Sequence, residues 1–146
     1  KDVIKAIAKI QSQSTTNPSS ISQAAAVEAL NGKQDFISIR SKAFQERRDF
    51  VVNSLNSIDG INCLNPQGAF YVFPNCKKLI GKKDKEGKKI ENDSDFVQLL
   101  LENYGIAVVQ GSAFGLEGFF RVSYATSMEN LEKAMNKIKE FCESLN

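Results

Sequence analysis

Apolar residues in the opening stretch DVIKAIAKI (2–10) fall at Val3, Ile4, Ile7 and Ile10, the spacing of one helix face. Asn17-Pro18 within STTNPSS (14–20) interrupts that period, because the residue before a proline is driven out of helical backbone. Ser20 is then placed to cap a short helix through ISQAAAVEALN, with Gly32 to stop it. A long charged helix follows from about Asp35 to Ser57, with Phe36, Ile39, Phe44, Val51, Val52 and Leu55 as its apolar positions. At ~1.5 Å per residue it is longer than a small domain requires, and it suits a strut joining two bodies.

After Gly60 the pattern changes to short apolar runs. INCL (61–64) and AFYVF (69–73) read as strands separated by the turn NPQG. Residues 75–93 form a loop rich in Lys and Gly. Asp93 or Ser94 caps a helix carrying Phe96, Val97, Leu99, Leu100 and Leu101, which Gly105 ends. IAVV (106–109) is an apolar strand, QGSAFGLEG a glycine loop, and FFRVSYA (119–125) the last strand. Thr126 and Glu129 match the T-x-x-E capping box, opening a terminal helix whose inner face holds Met128, Leu131, Met135, Ile138, Cys142 and Leu145. Strands followed by helices from residue 60 onward predict an α/β two-layer unit.

Composition narrows the chemistry. With 146 residues, 42% of them hydrophobic, the chain suits one domain, or one domain with an appendage. A net charge of +2 makes no electrostatic case for nucleic acid or membrane, and no apolar run has the length of a membrane span. Cys63, Cys76 and Cys142 are an odd set without a CxxC pair, which points to reduced thiols in a cytoplasm. There is no histidine, so the commonest general base and metal ligand is missing. The lysines at 77, 78, 82, 83, 85, 88 and 89 lack interleaved aromatic residues, and a solvated insertion is favoured over a nucleic-acid site.

One residue stands out against its surroundings. Alternation in the last strand puts Phe120, Val122 and Tyr124 on one face and Phe119, Arg121 and Ser123 on the other. The first set is plausible core, whereas Tyr71 and Phe73 alternate with Phe70 and Val72 in a strand for which core packing is the default. An unpartnered buried guanidinium is costly, so Arg121 needs an anion or water. Alternation alone favours an internal ion pair or a solvated edge position. The alternative is a ligand carboxylate gripped by the arginine fork beside a loop containing Gly111, Gly115 and Gly118.

The segments NPQGAFYVFP (65–74) and GIAVVQGSAFG…GFFRVSYATS (105–127) together resemble the C-terminal part of the fold-type I pyridoxal-phosphate aminotransferases, with class I aspartate aminotransferases of bacterial type nearest. SQSTTNPSSISQAAAVEAL (12–30) resembles the segment before that family's interdomain helix. The resemblance implies that residues 1–34 are the C-terminal helices of an incomplete large domain, 35–57 the interdomain helix, and 58–146 the small domain. It implies that Arg121 holds the substrate α-carboxylate and that Thr16-Asn17-Pro18 belongs to a dimer-interface loop. Gln110 departs from the proline usual before Gly111.

A larger departure concerns catalysis. The family's Schiff-base lysine lies in a Ser-x-x-Lys or Ser-x-Ser-Lys stretch followed by glycine and arginine. Here the only Ser-Lys is Ser41-Lys42, within the charged helix and with no glycine after it. The resemblance therefore implies a C-terminal fragment with no catalytic residue, cofactor-binding residue or metal ligand of its own. Its parent would be a cytoplasmic homodimer using pyridoxal 5'-phosphate on amino-acid and 2-oxo-acid substrates. Other class I aminotransferases (prephenate, aromatic, alanine), the ligand-sensing domain of a transcriptional regulator, and a free-standing amino-acid-binding domain stay open. Two expectations follow: the helices of residues 1–32 lack cover for their apolar faces, and Arg121 faces an open concavity with no carboxylate partner.

Overall fold

The structure, a computed structural model, describes residues 1–146. The chain divides into two compact units, residues 1–39 and 40–146, with the division inside the long helix. The first unit contains α1 (Asp2–Ser14), α2 (Ser20–Asn31) and the start of α3 (Asp35–Asn56). No residue of α1 or α2 is buried. Ile4 is 67% exposed, Ile10 70%, Ile21 81% and Leu30 80%, so the apolar stripes of these helices stand open, as expected from the sequence. Between them Thr16 takes a left-handed backbone, φ 57°. Ser19 rather than Ser20 is the N-cap of α2, and its side chain makes no capping bond.

The second unit has a dense core. Its elements are the rest of α3, β1 (Tyr71–Val72), α4 (Asp93–Tyr104), β2 (Val109–Gln110), β3 (Phe120–Ser123) and α5 (Met128–Glu143). The strands form one antiparallel sheet in the order β1-β3-β2, with Val72 opposite Val122 and Val109 opposite Arg121. Helices pack on one face. Phe96 of α4 meets Phe120 of β3 at 5.1 Å between ring centres and Phe141 of α5 at 5.2 Å. Val51 and Leu55 of α3, Ile138 of α5 and Leu100 of α4 are wholly buried with them. This is the predicted α/β two-layer arrangement, with β3 as its middle strand.

Local differences from the sequence reading have physical causes. The strands are shorter than expected. Pro74 has no N–H to continue β1, and Ala69 takes a left-handed φ of 60° just before it. Residues 61–64 make only an isolated bridge, Asn62 to Asn75. Ile106 donates its N–H to the carbonyl of Leu100 at 3.4 Å, closing the end of α4 instead of starting a strand. Gly105 ends α4 with φ 68°, the left-handed conformation that glycine adopts without strain. The α4 cap is Asn92, whose Oδ1 accepts from the Asp95 N–H at 3.0 Å, because the Asp93 carboxylate is engaged elsewhere. At α5 the cap is Ser127, accepting from the Asn130 N–H at 3.2 Å. Glu129 pairs with Lys133 at 2.6 Å instead of completing a capping box.

The lysine-rich segment keeps its lysines in solvent, all but Lys82 being exposed, and closes as a hairpin. Lys83 bridges Lys89, and the backbone of Lys83 exchanges two hydrogen bonds of 2.9 Å with Asn146. Inside the turn the buried Asp84 accepts from the N–H groups of Glu86 and Lys88.

Candidate functional site

Strand β3 carries the candidate residue between two buried neighbours. Phe120 and Val122 are buried and Arg121 is half-buried on the opposite face, so the sheet's alternation holds. The five ion pairs of the chain leave Arg121 out. No internal carboxylate claims it, which removes the ion-pair reading. Its guanidinium is instead packed over two aromatic rings. Cζ lies 4.5 Å from the Tyr71 ring centre and 4.6 Å from that of Phe114. A guanidinium held by ring contacts instead of an acid keeps its N–H donors unclaimed by any carboxylate of this chain.

Those rings belong to a larger aromatic array on the sheet face away from the core. Phe114 meets Phe73 edge-on at 5.9 Å, Phe73 stacks with Phe119 at 5.8 Å, and Phe70 lies 4.3 Å from Tyr71. Core packing, the expected role of Tyr71 and Phe73, is corrected here: Val72 is the core residue of β1, 1% exposed, and the aromatic residues flanking it share the face of Arg121. Sequence reading missed Tyr71 and Phe114 as neighbours of the arginine. Strand register would have found the first, since Tyr71 pairs with Ser123, two residues from Arg121 on the same side. Nothing periodic marks Phe114, which comes from a short turn at Gly111–Phe114.

That turn is fixed from both ends. Gly111 donates its N–H to the Phe119 carbonyl at 2.7 Å and accepts from Leu116 at 3.0 Å. A Cβ at Gly111 would collide with the Leu116 carbonyl and with Phe119, so only glycine permits the approach. The Ser112 N–H donates to Asp93 Oδ2 at 2.6 Å, and Asp93 is 2% exposed. Asp93 thus bridges the first turn of α4 to the loop that carries Phe114. It was expected as a helix cap, and its real partner lies 19 residues away.

Other chemistry is quiet. Burial pushes the thiols up, Cys63 to about 11 and Cys76 and Cys142 to about 12, with the Asp93 charge a second contributor at Cys76. Such thiols are poor nucleophiles. No group of His, Cys, Asp and Glu has the arrangement of a metal site. No helix is long and apolar enough to cross a membrane. Every lysine except Lys82 is exposed, and Lys82 Nζ donates to the Leu145 carbonyl at 3.4 Å. A Schiff-base amine needs a desolvated pocket, and residues 1–146 alone build none around a lysine.

The family model for aminotransferases of class I and II matches residues 1–138. The aspartate aminotransferase of Rhizobium meliloti (strain 1021) is 54% identical over 145 residues, covering 99% of this chain and 35% of that protein. A probable aspartate/prephenate aminotransferase of Rhizobium leguminosarum bv. phaseoli is 59% identical over 140 residues, covering 96% of this chain and 35% of its own length. Among solved structures, that of the aspartate aminotransferase from Rhizobium meliloti superposes with a TM-score of 0.90 at 54% identity, covering 99% of this chain and 36% of that one. The alanine aminotransferase from Pyrococcus furiosus superposes at 0.78 with 34% identity, covering 97% and 33%. The chain therefore spans about a third of the length of the relatives it matches.

Proposed function

The chain belongs to the class I and II aminotransferase family, and from that premise we propose that it forms the substrate-carboxylate side of an aspartate aminotransferase. The whole protein would exchange the amino group of L-aspartate with 2-oxoglutarate, giving oxaloacetate and L-glutamate. One observation carries the reading. Arg121 is a half-buried arginine with no carboxylate partner of its own, on the middle strand of a chain that superposes on an aspartate aminotransferase with a TM-score of 0.90. A guanidinium so placed binds a substrate α-carboxylate by two parallel charge-assisted hydrogen bonds, which fixes orientation as well as charge.

Pyridoxal phosphate would supply the electron sink for transamination. The Schiff-base lysine is assigned to the remainder of the protein, and residues 1–146 by themselves are expected to be inactive. The open apolar faces of α1 and α2 support their assignment to a larger domain. Cytoplasmic residence accords with three buried free thiols, and a homodimer is the assembly the family reading implies. Prephenate as an alternative amino acceptor has specific support in the relative named as a probable aspartate/prephenate aminotransferase.

The test is a chimera in which this chain replaces the matched third of the Rhizobium meliloti enzyme. Oxaloacetate released from aspartate and 2-oxoglutarate is followed by coupled NADH oxidation. Turnover is expected, and Arg121→Ala should abolish it while leaving cofactor absorbance in place. A chimera that loads cofactor yet ignores aspartate and prephenate, or is indifferent to Arg121→Ala, would refute the proposal.

A further inference from the structure

Arg121 is not held by any acid of this chain, yet it has close neighbours. Its guanidinium rests over Tyr71 at 4.5 Å and over Phe114 at 4.6 Å. Each ring arrives from a different element and is fixed independently. Tyr71 sits in β1, paired with Ser123 of the same strand that carries the arginine. The segment leading into it is tied by the Tyr124 hydroxyl, which donates to the Ala69 carbonyl at 3.0 Å. Phe114 closes the turn that Asp93 holds through the Ser112 N–H, and it leans edge-on against Phe73. Phe114 is 50% exposed, so its ring is not in place to fill a core.

We propose that Tyr71 and Phe114 are positioning residues that form an aromatic cradle for Arg121, ordering the guanidinium before a carboxylate arrives. The inference rests on the reading of Arg121 as the carboxylate-binding residue. Its physical basis is the separation of roles around one planar cation. The rings attract the cation through their quadrupoles, while no carboxylate of this chain takes up its N–H groups, which remain for the ligand. An arginine held by an acid would have to exchange one carboxylate for another. An arginine held only by solvent would lose rotamer freedom on binding. The cradle avoids both.

The test uses the cofactor-loaded chimera, in which the rest of the enzyme completes the site around Arg121, with propionate as the carboxylate probe and chloride at equal ionic strength as control. Arg121 Nε–Hε, assigned by its disappearance in Arg121→Lys, reports order through its relaxation and binding through its shift. Tyr71→Leu and Phe114→Leu should each lower the Nε–Hε order and shift the Arg121 side-chain protons downfield as ring currents are lost. Each should weaken propionate binding about two- to five-fold. Tyr71→Phe and Phe114→Tyr keep a ring and should retain wild-type order and affinity. Core amide signals such as those of Leu55 and Phe96 check that each variant is folded. If the leucine variants keep full order and affinity while Arg121 still responds to propionate, the cradle is wrong and the carboxylate reading survives. If wild-type Arg121 is ordered but propionate does not move its signal, the carboxylate reading fails and takes the assigned purpose of the cradle with it.

Discussion

Removing the Asp93 carboxylate should loosen the turn at Gly111–Phe114 more than it loosens the fold. Asp93 is 2% exposed, lies directly after the α4 cap Asn92, and accepts from the Ser112 N–H at 2.6 Å. A hydrogen bond to a buried charged acceptor contributes about 1.5–3 kcal/mol. An acid in the first helical turn adds roughly 0.3–1 kcal/mol through the helix dipole. Relief of carboxylate desolvation in the variant offsets part of the sum, and half-buried Ser112 can recover some hydration. Asp93→Ala should therefore cost about 2 kcal/mol, on the order of 10 °C in melting temperature for a unit of this size. Asp93→Asn keeps an acceptor without the charge and should lose about half as much. The assays are urea unfolding followed by circular dichroism, since the chain has no tryptophan, and amide exchange resolved at Ser112. Cys76 gives an independent reading. Burial, with the Asp93 charge second, holds its thiol up at about 12, so in Asp93→Asn the thiol should titrate lower while staying above the ordinary value. Equal losses for Ala and Asn, or unchanged exchange at Ser112, would refute the reasoning.

Gly111→Ala should be destabilising by about 1–3 kcal/mol, because the new methyl meets the Leu116 carbonyl and Phe119. Gly105→Ala, with open space around it and only a left-handed φ of 68° to resist it, should cost about 1 kcal/mol; thermal melts of the two variants check the order. The buried thiols make an alkaline limb. Cys76 and Cys142 titrate near 12 when folded against an ordinary thiol value of 9.0, so above pH 9 the unfolded chain has shed protons that the native chain retains. Their contribution is thus whole below pH 9 and falls as pH rises toward 12. A Cys76→Ala, Cys142→Ala double variant should flatten that limb in urea titrations at stepped pH. In the chimeric enzyme, Arg121→Lys keeps charge without the fork and should retain more kcat/KM than Arg121→Ala, whose loss should reach about 2–5 kcal/mol of transition-state stabilisation. Equal losses would mean that the charge contributes nothing once the fork is gone.

What was legible in the sequence is what depends on local pattern. The helix periods gave α1, α3, α4 and α5, and alternation in β3 correctly separated buried Phe120 and Val122 from half-buried Arg121. What escaped depends on contacts between distant residues. Asp93 has the composition of a cap, and nothing in DSDF reveals that its carboxylate crosses to Ser112. Tyr71 and Phe73 look like core residues in a run of apolar positions. A two-residue pairing with β3 and the stop at Pro74 decide which of them face inward. Strand lengths were overestimated for a related reason. Apolar runs such as INCL satisfy burial with Ile61 and Cys63 inward, and the Asn56 side chain, which accepts from the Cys63 N–H and donates to its carbonyl, takes the place of a neighbouring strand.

The separation between ordering and binding at Arg121 depends on this same partition of the two sheet faces. The inner face is closed by Phe96, Phe120 and Phe141, and the outer-face rings lie outside that buried core. Rings there are consequently available to hold a cation without burying it. Had an Asp or Glu stood at Tyr71 or Phe114, the arginine would be equally fixed. Its charge, however, would already be neutralised, and an incoming carboxylate would meet a competitor at van der Waals distance. Aromatic neighbours orient the guanidinium without cancelling its charge. That distinction gives half-exposed phenylalanine at position 114 a physical purpose that core packing does not.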